Sequence, residues 1–326
     1  MKKIVWRVTA LVLCVLLTTS NASAVELLIP GGQVVGLQLC NDAVTVAAFD
    51  DKLGSESKAA GLRIGDEIIS LNGRKISTAR DVVDALDHSD GTVEMRIRRN
   101  GKEKKLRLYP RITPQGPRLG IYLRDGISGI GTVTWYDPDT GRFGTLGHGV
   151  NCSDGELLDM TSGKAYEAEV ASVKRGTSGE PGQLKGAVDT DDQVGSLYRN
   201  TQQGVFGVAD EPWRGEALPV GQPDEVHLGQ AMIRSTVSGD DIQEYSVEIL
   251  KIYPNSGADG RNLLLQVTDP ALLATTGGIV QGMSGSPLVQ DGKLIGAVTH
   301  VLVNDPTMGY GIFIENMISQ MGDLAR

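Results

Sequence analysis

Imidazole is scarce in this chain. Its 326 residues include four histidines, so proton-relay chemistry must be assigned from His88, His148, His227 and His300. Thiols are scarcer still. Of three cysteines, Cys14 lies in an apolar stretch near the start, and Cys40 and Cys152 stand far apart without metal-like spacing. That pattern excludes a cysteine metal site and a disulfide framework, and two free thiols are expected. Aromatic residues make up 5% of the chain against 42 glycines, a balance that disfavours a helical bundle and favours short strands joined by turns. Basic charge is in deficit: a net charge of −9 and a pI near 5.0 exclude a general nucleic-acid binder. No block of like charge marks a disordered tail, and there is no internal repeat. No metal or cofactor motif is present, and none is expected to be needed.

The N-terminus reads as an export signal. Lys2, Lys3 and Arg7 precede the apolar stretch Val8 to Leu17, followed by the small residues Ser20 to Ala24. The apolar stretch is about half the ~20 residues a spanning helix needs. Residues 1–24 are therefore read as a signal peptide cut after Ala24, with retention as a membrane anchor as the second reading. Cys14 lacks the small preceding residue of a lipidated cysteine.

Residues 25–110 read as one small α/β unit. Val34 to Leu39 and Ala43 to Phe49 are strand-like, Ser57 to Gly61 forms a helical turn, and Asp66 to Gly73 is a strand ending in an Asn-Gly turn. Ser77 to Leu86 has a hydroxyl N-cap and apolar residues at helical spacing. Thr92 to Tyr109 alternates as a hairpin about Asn100-Gly101. Its basic residues, from Arg96 to Arg107, read as a solvated edge, with anionic lipid or an acidic partner as the sharper alternative. The run Ser57 to Gly73 resembles the core signature of PDZ domains. That resemblance implies peptide capture by strand addition, with Gly36, Leu37, Gln38 and Leu39 as the best match to the binding strand.

Residues 111–117 read as a proline-rich linker. From 118 to 326 the chain turns to short β runs between glycine pairs, among them Ile130 to Trp135, Ala165 to Val173, Tyr245 to Tyr253 and Leu294 to Val303. This is the pattern of a sandwich or barrel.

Within it, Gly282-Met283-Ser284-Gly285-Ser286-Pro287 frames a serine between glycines, with a proline three residues on. A tight turn between strands is the plain reading. The chemical one is a nucleophile beside backbone N–H groups. His148 is framed likewise, in Gly147-His148-Gly149, and is the favoured base, with His300 in reserve. His227 reads as a structural strand residue. For the orienting carboxylate, Asp269 precedes Ser284 by fifteen residues and could equally be an ordinary Asp-Pro turn; Asp189, Asp191 and Asp192 read as a solvated turn.

The serine region is similar to that of trypsin-like and HtrA-type proteases. That similarity implies a double β-barrel fold and an oxyanion hole from the N–H groups of Gly282 and Ser284. Over nearly all that follows the signal, the chain resembles the stage IV sporulation protein B peptidases of endospore-forming bacteria. The blocks that carry this are Ile29 to Gln33, Tyr136 to Gly149 and Gly296 to Pro306. The resemblance implies a secreted signalling serine endopeptidase with His148, Asp269 and Ser284 as catalytic positions. Thr299 is implicated as active-site support or substrate strand beside His300. It further implies self-cleavage, then cleavage of a membrane-bound regulator in the space between forespore and mother-cell membranes, with the PDZ-like unit binding a peptide that could be the chain's own N-terminal segment. Two other readings stand beside it: an HtrA-type quality-control protease, and a PDZ-containing binding protein with an inactive protease domain.

Overall fold

The computed structural model describes residues 27–89, 91–152, 155–255 and 261–322. The expected signal at 1–24, with Cys14, lies outside them. No helix among the described residues is long and apolar enough to cross a membrane. The fold is mostly β, as expected, with four helices of nine residues or fewer among the described residues.

Two six-stranded barrels form the main body. In the first, the N-terminal part of Val34–Phe49 pairs with Ile121–Tyr136 on one side and Ser162–Lys174 on the other. The ring continues through Arg142–Thr145, Gly204–Ala209 and Gln183–Thr201, every pair antiparallel. The second barrel is closed in the order Gly229–Thr236, Ile242–Ile252, Leu263–Val267, Asp305–Phe313, Lys293–Leu302, Pro287–Gln290. Closure leaves no free ladder edge on either ring, which suits an alternating sequence with few long side chains to fill the interior. Ile233, Leu263, Leu265, Leu288 and Val298 are fully buried inside the second barrel.

The PDZ-like unit grows out of the first barrel. Two strands run unbroken from one to the other. Val34 to Cys40 belongs to the barrel and Val44 to Phe49 to the smaller unit, while the partner strand enters at Ile121 and reaches the barrel at Gly126. Between them lie helix α1 (Ser55–Ala59), strands Glu67–Leu71, Val93–Arg99 and Lys102–Leu108, and helix α2 (Ala79–Asp87). The boundary expected at residue 25 therefore shifts. Residues 27–40 are barrel residues, with Ile29 and Pro30 paired to Tyr136 and Trp135. The expected linker 111–117 is also corrected: Arg111–Thr113 and Gly116–Arg118 form a small hairpin.

Local chemistry explains the smaller unit. Thr78 caps α2 with a capping box: its hydroxyl accepts from the Asp81 N–H, and the Asp81 carboxylate accepts from the Thr78 N–H. Asn72-Gly73 and Asn100-Gly101 both take left-handed φ, as two-residue hairpin turns require. Val93, Met95 and Ile97 are fully buried, and the intervening charges face out. On the basic hairpin, Arg96, Arg98 and Lys105 pair with Glu103, Glu67 and Glu94 at the surface, where such pairs contribute little.

One pair is different. The Arg99 guanidinium donates Nε to Asp66 Oδ1 and Nη2 to Asp66 Oδ2, both at 2.6 Å, and Nη2 also reaches the Gly61 carbonyl. The Asp66 side chain is 1% exposed. Arg99→Ala strands a buried carboxylate, and we expect a loss of about 3–5 kcal/mol in urea unfolding, against under about 1 kcal/mol for Arg96→Ala. Equal losses from the two variants would contradict the assignment.

Candidate active site

Helix α3 (Pro270–Thr276) ends in Gly277, left-handed at φ 79°, and the chain then runs through Gly278 to the serine loop. Gly282 and Gly285 take φ of 101° and 97°. At Gly285 a Cβ would stand 2.1 Å from the Thr132 carbonyl oxygen, so this position admits no side chain. The Gly285 N–H donates to the Val298 carbonyl at 2.7 Å and the Ser286 N–H to Met283 at 2.9 Å. The N–H groups of Gly282 and Ser284 donate to nothing among the described residues. The Ser284 hydroxyl donates to the Thr299 carbonyl at 2.8 Å.

The histidine loop comes from the first barrel. After Thr145, both Leu146 and Gly147 are left-handed, at φ 70° and 69°. For a buried leucine this is strained backbone, of the kind stored where a residue must be aimed. A Cβ on Gly147 would stand 2.9 Å from Thr299 Cγ2, so the loop rests on the strand behind Ser284. The His148 ring lies 5.4 Å from the His300 ring, centroid to centroid. Its Nδ1 lies 3.0 Å from the Gly149 carbonyl. A carbonyl only accepts, so Nδ1 carries the proton and Nε2 keeps a lone pair. Burial pushes the His148 pKa below its ordinary value, and the bond to Gly149 opposes this only in part. Beyond the histidine, Asn200 holds the loop by accepting from the Val150 N–H and donating to the Val150 and Leu158 carbonyls.

Both loops meet at Thr132, which is fully buried on Ile121–Tyr136. Its N–H donates to the Ser284 carbonyl at 3.1 Å and its Oγ1 to the Gly282 carbonyl at 2.8 Å. Its own carbonyl accepts from Thr145 Oγ1 at 2.7 Å and from the Leu146 N–H at 3.3 Å.

The structure thus brings Ser284, His148, Thr299 and His300 together. Thr299 presents its carbonyl to the serine, while its hydroxyl donates to the Tyr310 carbonyl. Asp269 lies elsewhere, as the N-cap of α3. Its Oδ1 accepts from the N–H groups of Ala271 and Leu272 at 2.9 and 3.0 Å, and its Oδ2 lies 3.4 Å from the Ser246 N–H. The expected Asp–His contact is replaced by the Gly149 carbonyl. Asp189, Asp191 and Asp192 are solvated as expected, but on an irregularly paired strand rather than a turn. His88 caps α2 at the surface; His227, outside any strand, pairs with Asp291 at 2.8 Å.

The peptide-binding strand also needs correction. Gly36 to Leu39 is paired on both edges, with residues 127–130 and 163–166, and Leu37 and Leu39 are buried. No edge is left for a peptide. An open edge is instead presented by Ile121 to Leu123, which pairs with Val46 to Phe49 on one side and faces α2 on the other. A cavity of about 170 Å³ lies there, walled by Leu53, Val82, Leu86, Leu119 and Ile121. Gly120, at φ 63°, lets the chain pass Leu53: a Cβ there would stand 2.3 Å from backbone. Leu119-Gly120-Ile121 carries the same apolar-Gly-apolar signal as Val35-Gly36-Leu37, and only the pairing tells them apart.

Asp269 supplies a test of cap against relay. Asparagine also caps helices, so Asp269→Asn should keep activity near wild type, whereas Asp269→Ala should cost about 0.5–2 kcal/mol in unfolding. Peptidase turnover of Asp269→Asn as low as that of His148→Ala would restore the carboxylate to the relay.

Among known proteins, the sequence model of the SpoIVB peptidase S55 family matches residues 115–318, and a PDZ domain model matches 54–99. The zinc metalloprotease RasP of Geobacillus kaustophilus is 34% identical over 67 residues, which make up 20% of this chain and 16% of that protein; the chain spans well under two thirds of it. Among solved structures, the PDZ domain of the SdrC-like protein from Listeria monocytogenes is 24% identical, covering 26% of this chain and 90% of that one, with a TM-score of 0.23. The active form of the Rv3671c protease from M. tuberculosis is 14% identical (75% of this chain, 85% of that one, TM-score 0.35). The HtrA-type protease AlgW with a decapeptide is also 14% identical (64% and 57%, TM-score 0.36). The match over 115–318 takes in both loops that meet at Thr132, and on it the chain belongs to the SpoIVB peptidase S55 family of serine proteases, with a PDZ domain built into it.

Proposed function

We propose that this peptidase works through a Ser284–His148 pair, with the Gly149 carbonyl in the orienting place. The observation that carries this is the convergence of a glycine-framed serine, two unengaged N–H groups and an imidazole whose Nδ1 is already committed to a carbonyl. In the step itself the Ser284 hydroxyl leaves the Thr299 carbonyl and turns to His148. Oγ attacks the scissile carbonyl as Nε2 takes its proton. The developing oxyanion is met by the Gly282 and Ser284 N–H groups, and His148 then returns the proton to the leaving amine. The freed Thr299 carbonyl can accept an N–H of the substrate backbone. An imidazolium forms without a carboxylate beside it, so the Gly149 carbonyl dipole carries the stabilisation that Asp supplies in other serine proteases.

The substrate is a protein, and the PDZ domain implies peptide binding. Our finer reading is that the enzyme is exported, cleaves its own N-terminal segment and then a membrane-associated regulator during sporulation signalling. A peptide seated against Ile121 to Leu123 would be presented or restrained from there. This is supported by the signal-like N-terminus and by the family.

Mass spectrometry of the purified chain beside Ser284→Ala and His148→Ala tests this. Self-cleavage should appear in the wild type and vanish in both variants, with circular dichroism unchanged. Cleavage persisting in Ser284→Ala would remove the nucleophile assignment. The pH profile gives a second check. The base must be neutral, and burial lowers the His148 pKa from 6.5, so the acid limb of kcat/KM should have its midpoint below pH 6.5. A midpoint above that value would mean that another group, or an added anionic partner, governs the proton.

A further inference from the structure

Thr132 is not one of the groups proposed to react, yet it holds four groups on the two loops. The proposed oxyanion donors are the N–H groups of Gly282 and Ser284, and they belong to the Gln281–Gly282 and Met283–Ser284 peptide planes, which the Gly282–Met283 plane joins. Nothing intrinsic fixes those planes. Gly282, at φ 101°, lies in a region that glycine enters and leaves without steric cost, and a turn at either end of the Gly282–Met283 plane would re-aim one donor against the other. Two bonds from one residue stop that rotation: Thr132 Oγ1 to the Gly282 carbonyl and Thr132 N–H to the Ser284 carbonyl. On its other side, the Thr132 carbonyl binds Thr145 Oγ1 and the Leu146 N–H, fixing the strained left-handed step that delivers His148.

We infer that Thr132 is a positioning residue for peptide hydrolysis, whose hydroxyl locks the peptide that joins the two oxyanion donors while its backbone sets the histidine loop against it. The inference rests on the assignment of Ser284 as nucleophile. The hydroxyl is the separable part. Valine keeps the shape and all three bonds of the backbone N–H and carbonyl, and loses only the bond to the Gly282 carbonyl.

The test is the rate at which a fluorophosphonate labels Ser284, together with kcat and KM on a peptide substrate, well below the unfolding temperature. Removing an oxyanion donor outright costs ~10²–10³ in turnover. For a donor left in place but unlocked, we expect Thr132→Val to lower kcat and labelling by roughly 10- to 100-fold with KM within about 3-fold, and Thr132→Ser to restore both. A role in packing alone gives the opposite order, with serine impaired by its missing methyl and valine active, and that result overturns the proposal. So does wild-type labelling in Thr132→Val. Should the valine variant not fold, Thr132→Ser decides: near-wild-type kcat supports the hydroxyl, and a drop as large as that of Ser284→Ala refutes it. Wild-type protein that fails to label at Ser284 sinks the nucleophile assignment instead, so the two failures are told apart.

Discussion

The proposed catalytic geometry depends on one hydrogen-bonded junction between two barrels. A serine and a histidine on separate closed sheets have no covalent reason to face each other, since each barrel is satisfied by its own ladders. Thr132 supplies the reason. It is fully buried, it belongs to the first barrel, and it donates twice into the loop of the second. The glycines then follow as consequences. Gly285 must lack a side chain because the Thr132 carbonyl occupies the space where one would go, and Gly147 because Thr299 does. The glycine frames around Ser284 and His148 are thus the imprint of two loops pressed together.

In the proposed mechanism the same close approach lets His148 act as base without a neighbouring carboxylate. The histidine needs one tautomer and one ring plane. Its own next carbonyl provides both, because Gly149 is packed against the Thr201 backbone and Asn200 holds the residue after it. Burial lowers the imidazole's pKa, which favours its neutral form. The acid candidate is spent on starting a helix, and that helix leads into the serine loop. Its influence reaches the site through the path of the chain.

Much of this was legible in the sequence. Both glycine-framed loops, the Asn-Gly turns, the capped helix and the alternating hairpin are local patterns, and local patterns survive without knowledge of the fold. What could not be read was pairing between distant segments. Val34 to Leu39 has the composition of a binding strand, yet Gly36 to Leu39 is closed on both edges by residues 127–130 and 163–166, far away in the sequence. The long strand Gln183–Thr201 was masked by three exposed aspartates on its irregular stretch. Asp269 carried a strand-end, pre-proline pattern that fits both a catalytic acid and a helix cap, and only the backbone around it separates the two. Thr132 carries no sequence signal. A threonine in a run of β-branched residues looks like any other, and its importance comes from which loops cross it.

The shared strands also bear on how this molecule could be taken apart. A module threaded onto a chain end can be cut off at one peptide bond. Here the smaller unit leaves and re-enters through adjacent rungs of one ladder, for Cys40 stands opposite Gly126. A single nick would leave both pieces stapled together. Because the two ends lie side by side, the excursion from 41 to 125 could instead be replaced by a short hairpin turn, closing the first barrel on itself. In topological terms the peptidase is the sentence and the peptide-binding unit a parenthesis opened within it.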